Sequence, residues 1–595
     1  MAVASLYPAI KPSLLLDFAN TKKLDPRVTF TRSTTAAYYD GVTTAKAEEN
    51  LLKYSQEFDD AAWSKNISGQ VTISTDSTAA PDGTTTADTA TPNALSGYHV
   101  VRQAGNTSAA LHTFSLFVKP NGYTQVGLRE DYASGQYSVF DLTSTGSIVD
   151  KTVSASASIV ALNNGWYRVT LTPTATSTNQ GVGIYILDGS YVSGDPSSYL
   201  YTGDGVSGIY LWGAQLEQRS SVTAYTPTTT QPITNYIPVL LTAPANVPRF
   251  DHNPTTGESL GLLIEEQRTN LFTYSDDFAD ASWTKSNATI DSNTVVAPDG
   301  TLTGDTVVET TATGGHSVRK SSSVTSGTFY TISAFVKAAG RNWVRIAFST
   351  GFTSTNTWFD IANGVVGTVG ATSASITDVG NGWYRISATQ AATSTTTGLF
   401  FITMETSGSG VTYTGDGWSG IYIWGAQLEA GSFPTSYIPT TSATVTRNAD
   451  LAVMAGSNFS SWYNAGEGTF YFESTWSKPT TSQVYVLSSG SSVRYIYDSS
   501  SSASSMSVSS FDGTNVLGGG SGLSGFLKIV SSYSNATGTK QIASNGGTVY
   551  SGAYNGNFAT NTTILFGETA FCGNIKKIAY YPQRLTNANL QALTT

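Results

Sequence analysis

Charge is scarce in this chain of 595 residues: Asp, Glu, Lys and Arg together make up 12%, about half the share of roughly 25% usual in globular proteins. Its single cysteine, Cys572, excludes an internal disulfide framework and reads as a buried thiol. Four scattered histidines beside one cysteine argue against a structural zinc site. No apolar run approaches the roughly 20 residues that span a bilayer, so membrane insertion is not expected. The net charge is −10, and no basic tract is long enough to follow a phosphate backbone, which argues against nucleic acid. The opening MAVASLYPAIKP has no basic stretch leading into an apolar core, so no Sec-type signal is expected. Signatures of catalysis are missing too. There is no Gly-x-Ser-x-Gly elbow and no phosphate-binding glycine loop. Glu473 lacks the companion carboxylates of a Glu-x-Asp-x-x-Glu hydrolase strand. The chain is therefore expected not to be an enzyme.

What fills the space is hydroxyl, glycine and ring. The chain has 57 Gly, 11 Trp, 32 Tyr and 25 Phe; a disordered chain would be poor in aromatics. Thr, Tyr, Phe and Trp favour strands, and Gly and Asn favour tight turns, so the composition points to an all-β protein. Its length exceeds what one core fills and implies three or four domains.

The chain repeats itself. Asn50-Leu51-Leu52-Lys53-Tyr54-Ser55, running on to Trp63-Ser64-Lys65, returns as Asn270-Leu271-Phe272-Thr273-Tyr274-Ser275, running on to Trp283-Thr284-Lys285. Five further motifs follow in the same order. They are Ala-Pro-Asp-Gly (from Ala80 and Ala297), His-x-Val-Arg (His99, His316), Phe-Val-Lys (Phe117, Phe335) and Asn-Gly-Trp-Tyr-Arg (Asn164, Asn381). The last is Tyr-Thr-Gly-Asp-Gly leading to Trp-Gly-Ala-Gln-Leu-Glu (Tyr201, Tyr413). A period above 200 residues is too long for a solenoid, so each copy is a complete sandwich. Short alternating runs between turns suggest a jelly roll of roughly eight strands. In Trp383-Tyr384-Arg385-Ile386, Tyr384 and Ile386 are expected on one face and Trp383 and Arg385 on the other. Trp166, Trp212, Trp383 and Trp424, inside such runs, read as core. The repeats span residues 50–229 and 270–445. An N-terminal docking segment (1–49), a connector (230–269) and a third unit (446–595) complete the chain. Apolar runs such as Leu14-Leu15-Leu16-Asp17-Phe18 imply that the first two are docked rather than free, and Pro-containing tails at Ala224–Thr229 and Ser436–Thr441 read as extended exits.

The phrases SLLLDFANTKKLDPRVTFTRST, NVPRFDHNPTTGESLGLLIEEQRTNLFTYS and SGIYIWGAQLEAGSFPTSYIPTT resemble a module found in tailed-bacteriophage structural proteins, over roughly residues 12–445. The segment Ala45–Asn50 before the first repeat lacks the Val-Pro-Arg-Phe and Leu-Ile-Glu-Glu-Gln-Arg elements present before the second. Gly468–Glu473, Gly573–Thr586 and the run Asn587–Leu593 resemble the strands and short closing helix of laminin-G or concanavalin-like lectin sandwiches. The resemblance implies two carbohydrate-binding-module-like jelly rolls and a lectin-like sandwich in a virion appendage, a tail fibre, spike or head fibre. Its implied partners are other virion proteins and host-surface polysaccharide, and its implied assembly is a homotrimer. A capsid decoration protein is the alternative, and a polysaccharide depolymerase a more distant one.

Glycan recognition needs exposed rings for sugar C–H faces and a few polar groups for hydroxyls. The candidates are Trp63 and Trp283 near lysines, Trp343 with Arg341 and Arg345, and Trp418, Tyr123, Arg129 and Tyr132; each could instead be core or domain contact. The repeated His99/Arg102 and His316/Arg319 pairs fit a structural role better, since residues three apart on a strand face opposite ways. Asp204 and Asp416, in Gly-Asp-Gly, fit an ordinary turn and, less well, a calcium ligand; no other cofactor is implied. Glu265-Glu266 with Arg268 reads as a solvated or salt-bridged connector.

Overall fold

A computed structural model describes residues 10–65, 67–104, 109–131, 134–174, 181–477, 483–489, 493–500, 506–568 and 570–595. Strands hold 53% of the chain and helices 5%, as the composition requires. Each repeat is a pair of facing antiparallel sheets. In the first repeat the front sheet runs in the order His99–Ala104, Gly181–Leu187, Gln125–Glu130, Tyr137–Asp141. Its back sheet runs Ala87–Pro92, Gly208–Glu217, Thr113–Asn121, Tyr167–Thr172. The second repeat matches strand for strand. Its front sheet is His316–Val324, Thr396–Glu405, Trp343–Phe348, Thr355–Asp360, and its back sheet Gly304–Glu309, Gly420–Ala430, Phe329–Ala339, Trp383–Ala391. Further strands lengthen the edges of all four sheets. This is jelly-roll order, in which the chain crosses from sheet to sheet through two Greek keys. The alternation falls as the sequence implies: Ile386, Ile421 and Ile423 enter the core between the sheets, while Trp383 and Trp424 lie on the opposite side of the back sheet.

The Asn that opens each repeat explains the motif around it. Asn270, fully buried, donates from Nδ2 to the carbonyls of Ala426 (3.2 Å) and Ile438 (2.9 Å) and accepts at Oδ1 from the amides of Phe272 and Leu428 (both 3.1 Å). Asn50 makes the same four bonds with Ala214, Thr226, Leu52 and Leu216. Entry strand, closing strand and Pro-containing tail are thereby clipped by one side chain whose donors and acceptors are all used.

The parts outside the repeats do not follow chain order. Residues 1–49 read as a docking segment and 230–269 as a connector; strands from both, within 10–35 and 244–267, are built into the third unit. Leu14–Asp17 and Ser259–Ile264 pair in succession along one edge of Gly573–Tyr581, and Thr29–Thr31 pairs with Leu451–Ala455. The result is a sandwich of an eight-stranded and a seven-stranded sheet, here called the base. Its core draws Leu14, Leu16, Phe18, Val28, Phe30, Leu262 and Ile264 into contact with Phe470, Ile529, Phe566 and Ile578. The helix Asn587–Thr594 closes it, capped by Thr586, which accepts from the Asn589 amide. Both repeats are insertions into this base, each carried on a two-stranded antiparallel stem. Ala36–Asn50 pairs with Ile233–Ala243 to carry the first, and Arg268–Asn270 pairs with Val445–Arg447 to carry the second. The first repeat lacks the Val-Pro-Arg-Phe and Leu-Ile-Glu-Glu-Gln-Arg elements because they belong to the base.

At the root of the stems those elements form a buried ion network. Asp450 accepts from Arg32 at 2.8 Å and Arg249 at 2.5 Å, and Arg249 also reaches Glu265 at 2.8 Å. Arg447 lies 3.5 Å from Glu265 and donates to the Glu266 carbonyl at 2.7 Å. Glu265 is thus no solvated connector residue but a buried member of a lock joining all four chain crossings; Glu266, part-exposed, pairs with Arg268. Cys572 is buried and accepts from the Glu266 amide at 3.3 Å.

Two equivalent carboxyls make stability depend on pH. Asp88 and Asp305 are buried, and burial pushes each up to about 6 despite bonds from the Phe58 and Asp76 amides in one case and the Phe278 and Asn293 amides in the other. A folded-state pKa above the unfolded value of about 3.9 means the native state binds the proton more tightly. Their contribution is present below about pH 4 and lost as pH rises to about 6. The thermal midpoint is therefore expected to fall between pH 4.5 and pH 7, by calorimetry at constant ionic strength; a midpoint that rises across that interval would contradict it.

Candidate functional site

On the front sheet of the second repeat, Val344, Ile346, Phe359 and Ile402 face the core, so their neighbours face outward. Register then decides who meets whom. Ser317, Thr403, Arg345 and Trp358 stand opposite one another in one row across four strands. Glu405, Trp343 and Asp360 form the row on one side, and Arg319, Phe401, Ala347 and Asn356 the row on the other. Adjacent strands lie about 4.8 Å apart, so a row across four strands spans roughly 14 Å.

Arg345 is central. Its Nε donates to Glu405 Oε1 at 2.5 Å and its Nη1 to Asn356 Oδ1 at 2.7 Å. Burial pushes the Glu405 carboxyl up, and Arg345 opposes that. Glu405 Oε2 and Thr403 Oγ1 are buried without a hydrogen-bond partner. Trp343 packs against Gly367 and Gly408; a Cβ at either glycine would fall 2.8 or 2.7 Å from its ring. Trp358 donates from Nε1 to the Gly410 carbonyl at 3.3 Å. The Arg319 guanidinium sits 5.9 Å from the Phe401 ring centre. Trp343 and Arg345 are part-exposed, and beneath them Thr403 and Glu405, each 1% exposed, keep two polar atoms with unused bonding capacity; together they make a face suited to hydroxyl-bearing ligands.

Of the residues singled out from sequence, the fold brings Trp343 and Arg345 together on this face. Arg341 does not join them. It turns to Glu309 and to Asp416, 2.9 Å away, with the Tyr413 ring beneath it. Trp418 packs on the first repeat, within 2.8 Å of the Cβ position of Gly83, and its neighbour Gly417 accepts from Asn163 at 2.6 Å. It is a contact between repeats, not a free platform. Tyr123 is buried and accepts from the Asp204 amide at 3.3 Å. Arg129 lies on the first repeat's front sheet, paired with Asp131 and Asp195. Tyr132 lies outside the described residues. Trp63 and Trp283, expected as sugar platforms, are core residues. They are 1% and 2% exposed, fill the two cores and donate to the Tyr54 and Tyr274 carbonyls. A ring enclosed between sheets has no face for a sugar. The neighbouring lysines, Lys65 and Lys285, cap turn carbonyls instead.

His99 and His316 are buried against Tyr201 and Tyr413, each pair with ring centres 4.6 Å apart, and sit by the Gln70 and Asn287 carbonyls. Asp204 and Asp416 close their turns, each accepting two backbone amides at Oδ1. Among the described residues no three His, Cys, Asp or Glu side chains gather as a metal site.

Trp358, Thr403, Glu405 and Phe401 went unnoticed in the sequence. Alternation within Thr355–Asp360 and Thr396–Glu405 puts them on one face, but no local signal says that these strands flank Trp343–Phe348.

No protein-family model matches the chain, and no curated protein matches it. Among solved structures it is similar to the CBM40 of a Ruminococcus gnavus IT-sialidase, at 12% identity over 23% of this chain and 88% of that one, with a TM-score of 0.19. It is also similar to a Bacteroides ovatus protein provisionally assigned to carbohydrate binding, at 9% identity over 47% of this chain and 79% of that one, again with a TM-score of 0.19. Matches this distant do not bear on what this chain binds.

Proposed function

We propose that this protein holds glycans without cleaving them, on the front face of the second repeat, as part of a virion appendage that adsorbs to host-surface polysaccharide. The observation that carries the binding reading is the row Thr403–Arg345–Trp358, with Glu405 and Thr403 keeping unpaired polar atoms beside aromatic rings. Buried polar atoms normally find partners, and sugar hydroxyls both donate and accept. Net binding would be weak per site and raised by display of several copies on a trimeric fibre. The appendage reading is supported by the motif resemblance. The base is its natural anchor, since each repeat stands on its own stem.

Hydrogen bonds to charged groups contribute about 1.5–3 kcal/mol, roughly ten- to hundredfold in affinity. On an array of neutral and acidic oligosaccharides, Arg345→Ala is expected to lose at least tenfold in signal and to lower the unfolding midpoint, because Glu405 is left buried without its cation; Thr403→Val is expected to lose less signal, with a midpoint near wild type. Equal signals from wild type and Arg345→Ala, or shortened chains on incubation with the bound polysaccharide, would refute the reading.

A further inference from the structure

The two repeats are copies in fold, but their front faces differ. Counted from the shared Phe-Val-Lys and the glycine after it (Gly122, Gly340), Gly127 takes the place of Arg345. By strand register, Tyr185 takes that of Thr403, Leu187 that of Glu405 and Val139 that of Trp358. All the groups that make the second face suited to hydroxyls are replaced in the first.

Something else lies there instead. Between Leu187 and Tyr201 the first repeat has a thirteen-residue loop, 188–200; the second has seven residues, 406–412, between Glu405 and Tyr413. The longer loop is fastened across the face. Pro196 packs on Gly127, with its Cβ and Cγ 3.4 Å from where a Cβ would stand. Asp195 grips Arg129 through two bonds of 2.9 and 3.0 Å. Tyr191, Tyr137 and the Gly194 amide converge on Asp150 Oδ2 at 3.1, 3.0 and 2.7 Å. Tyr185 donates to Asp131 at 2.9 Å and Tyr199 to Asp188 at 2.8 Å. Val100, Val139, Tyr185, Leu187 and Tyr191 are buried as a small cluster of their own on this outer face. An outer sheet face that carries its own apolar cluster is already covered.

We propose that the first repeat is closed by its own 188–200 loop, which sits where the second repeat receives its glycan, so that each chain offers one glycan site and the first repeat serves as a spacer. This deepens the reading of the front face as glycan-binding and rests on it. The physical reason is competition: the loop is covalently present and held by an ion pair, several hydrogen bonds and an apolar cluster, whereas a weakly bound sugar arrives only at its free concentration. In the second repeat the short loop lies along Trp343 and Trp358, and Trp343 and Arg345 stay part-exposed, whereas Gln125 and Gly127 at the matching positions of the first repeat are buried.

The test uses the full chain and the array oligosaccharide that gives the strongest wild-type signal. Titration calorimetry is expected to give one site per chain. Hydrogen exchange is expected to show ligand protection in residues 343–360 and 399–412 and none in 125–139 or 181–200. Arg345→Ala, with Thr403→Val as the milder second variant, is expected to remove or weaken all binding, and Asp195→Ala with Pro196→Gly to leave the Arg345-dependent site unchanged. Two sites per chain, protection in the first repeat, or wild-type affinity in a folded Arg345→Ala variant would overturn the proposal while leaving glycan binding itself intact. Wild-type protein that binds no oligosaccharide on the array would instead overturn the glycan reading, and this inference with it.

Discussion

Asp450→Ala is expected to destabilise the base by roughly 3–5 kcal/mol, the usual result of removing one partner from a buried ion pair. Asp450 and its partners Arg32 and Arg249 have side chains that are 0% exposed. The substitution leaves two guanidinium groups facing each other without their shared carboxylate. Arg249 keeps Glu265, but Arg32 keeps only carbonyl acceptors, those of Thr34, Pro244 and Val247. Urea unfolding followed by tryptophan fluorescence measures the loss; a shift below about 0.5 kcal/mol, the range of an ordinary surface substitution, would mean the network holds nothing. Acid acts on the same lock. Burial opposes the charge on Glu265, yet Arg447, Arg249 and the bonds from Ser436 hold its carboxyl well below the usual carboxylate range. Its folded pKa lies below its unfolded value, so its contribution is present above about pH 4.3 and lost as pH falls further. That slope is opposite in sign to the one from Asp88 and Asp305, so stability is expected to peak on the acid side of neutrality.

Residues 446–595 expressed alone are expected not to fold, although they look like a lectin domain. Gly573–Tyr581 would lose both strands that cover one of its edges, Leu14–Asp17 and Ser259–Ile264. The core would lose Leu14, Leu16, Phe18, Val28, Phe30, Leu262 and Ile264, each at most 8% exposed. Burying one such side chain contributes about 1.5–3 kcal/mol, so seven together exceed the 5–15 kcal/mol by which most domains are stable, at least over most of that range. A single chain joining residues 10–35, 244–267 and 448–595 by short linkers should restore cooperative unfolding in circular dichroism. A sharp two-state transition from 446–595 by itself would refute the architecture described above.

The all-β composition, the duplication and the jelly-roll strands were legible along the chain, because they rest on local signals: alternation of period two, turn residues, and motifs recurring in order. Flanking alternation also set Trp383 and Trp424 on the face opposite their neighbouring isoleucines, but they are buried there against the stem residues Ala37, Ala47, Ile237 and Leu240, not in the core between the sheets where the sequence put them. The assembly of the base from three separated stretches emerges only in the folded chain, because strand partners hundreds of residues apart leave no trace in local pattern. The same limit hid the candidate site. Trp343 and Arg345 were visible as an aromatic and a cation two residues apart, whereas Trp358 and Thr403 join them only through cross-strand register. Burial then separated rings alike in sequence. Trp283 and Trp343 both stand near basic residues, but the first lies between two sheets and the second on an outer face, and that difference is set by how strands stack, not by their neighbours in the chain.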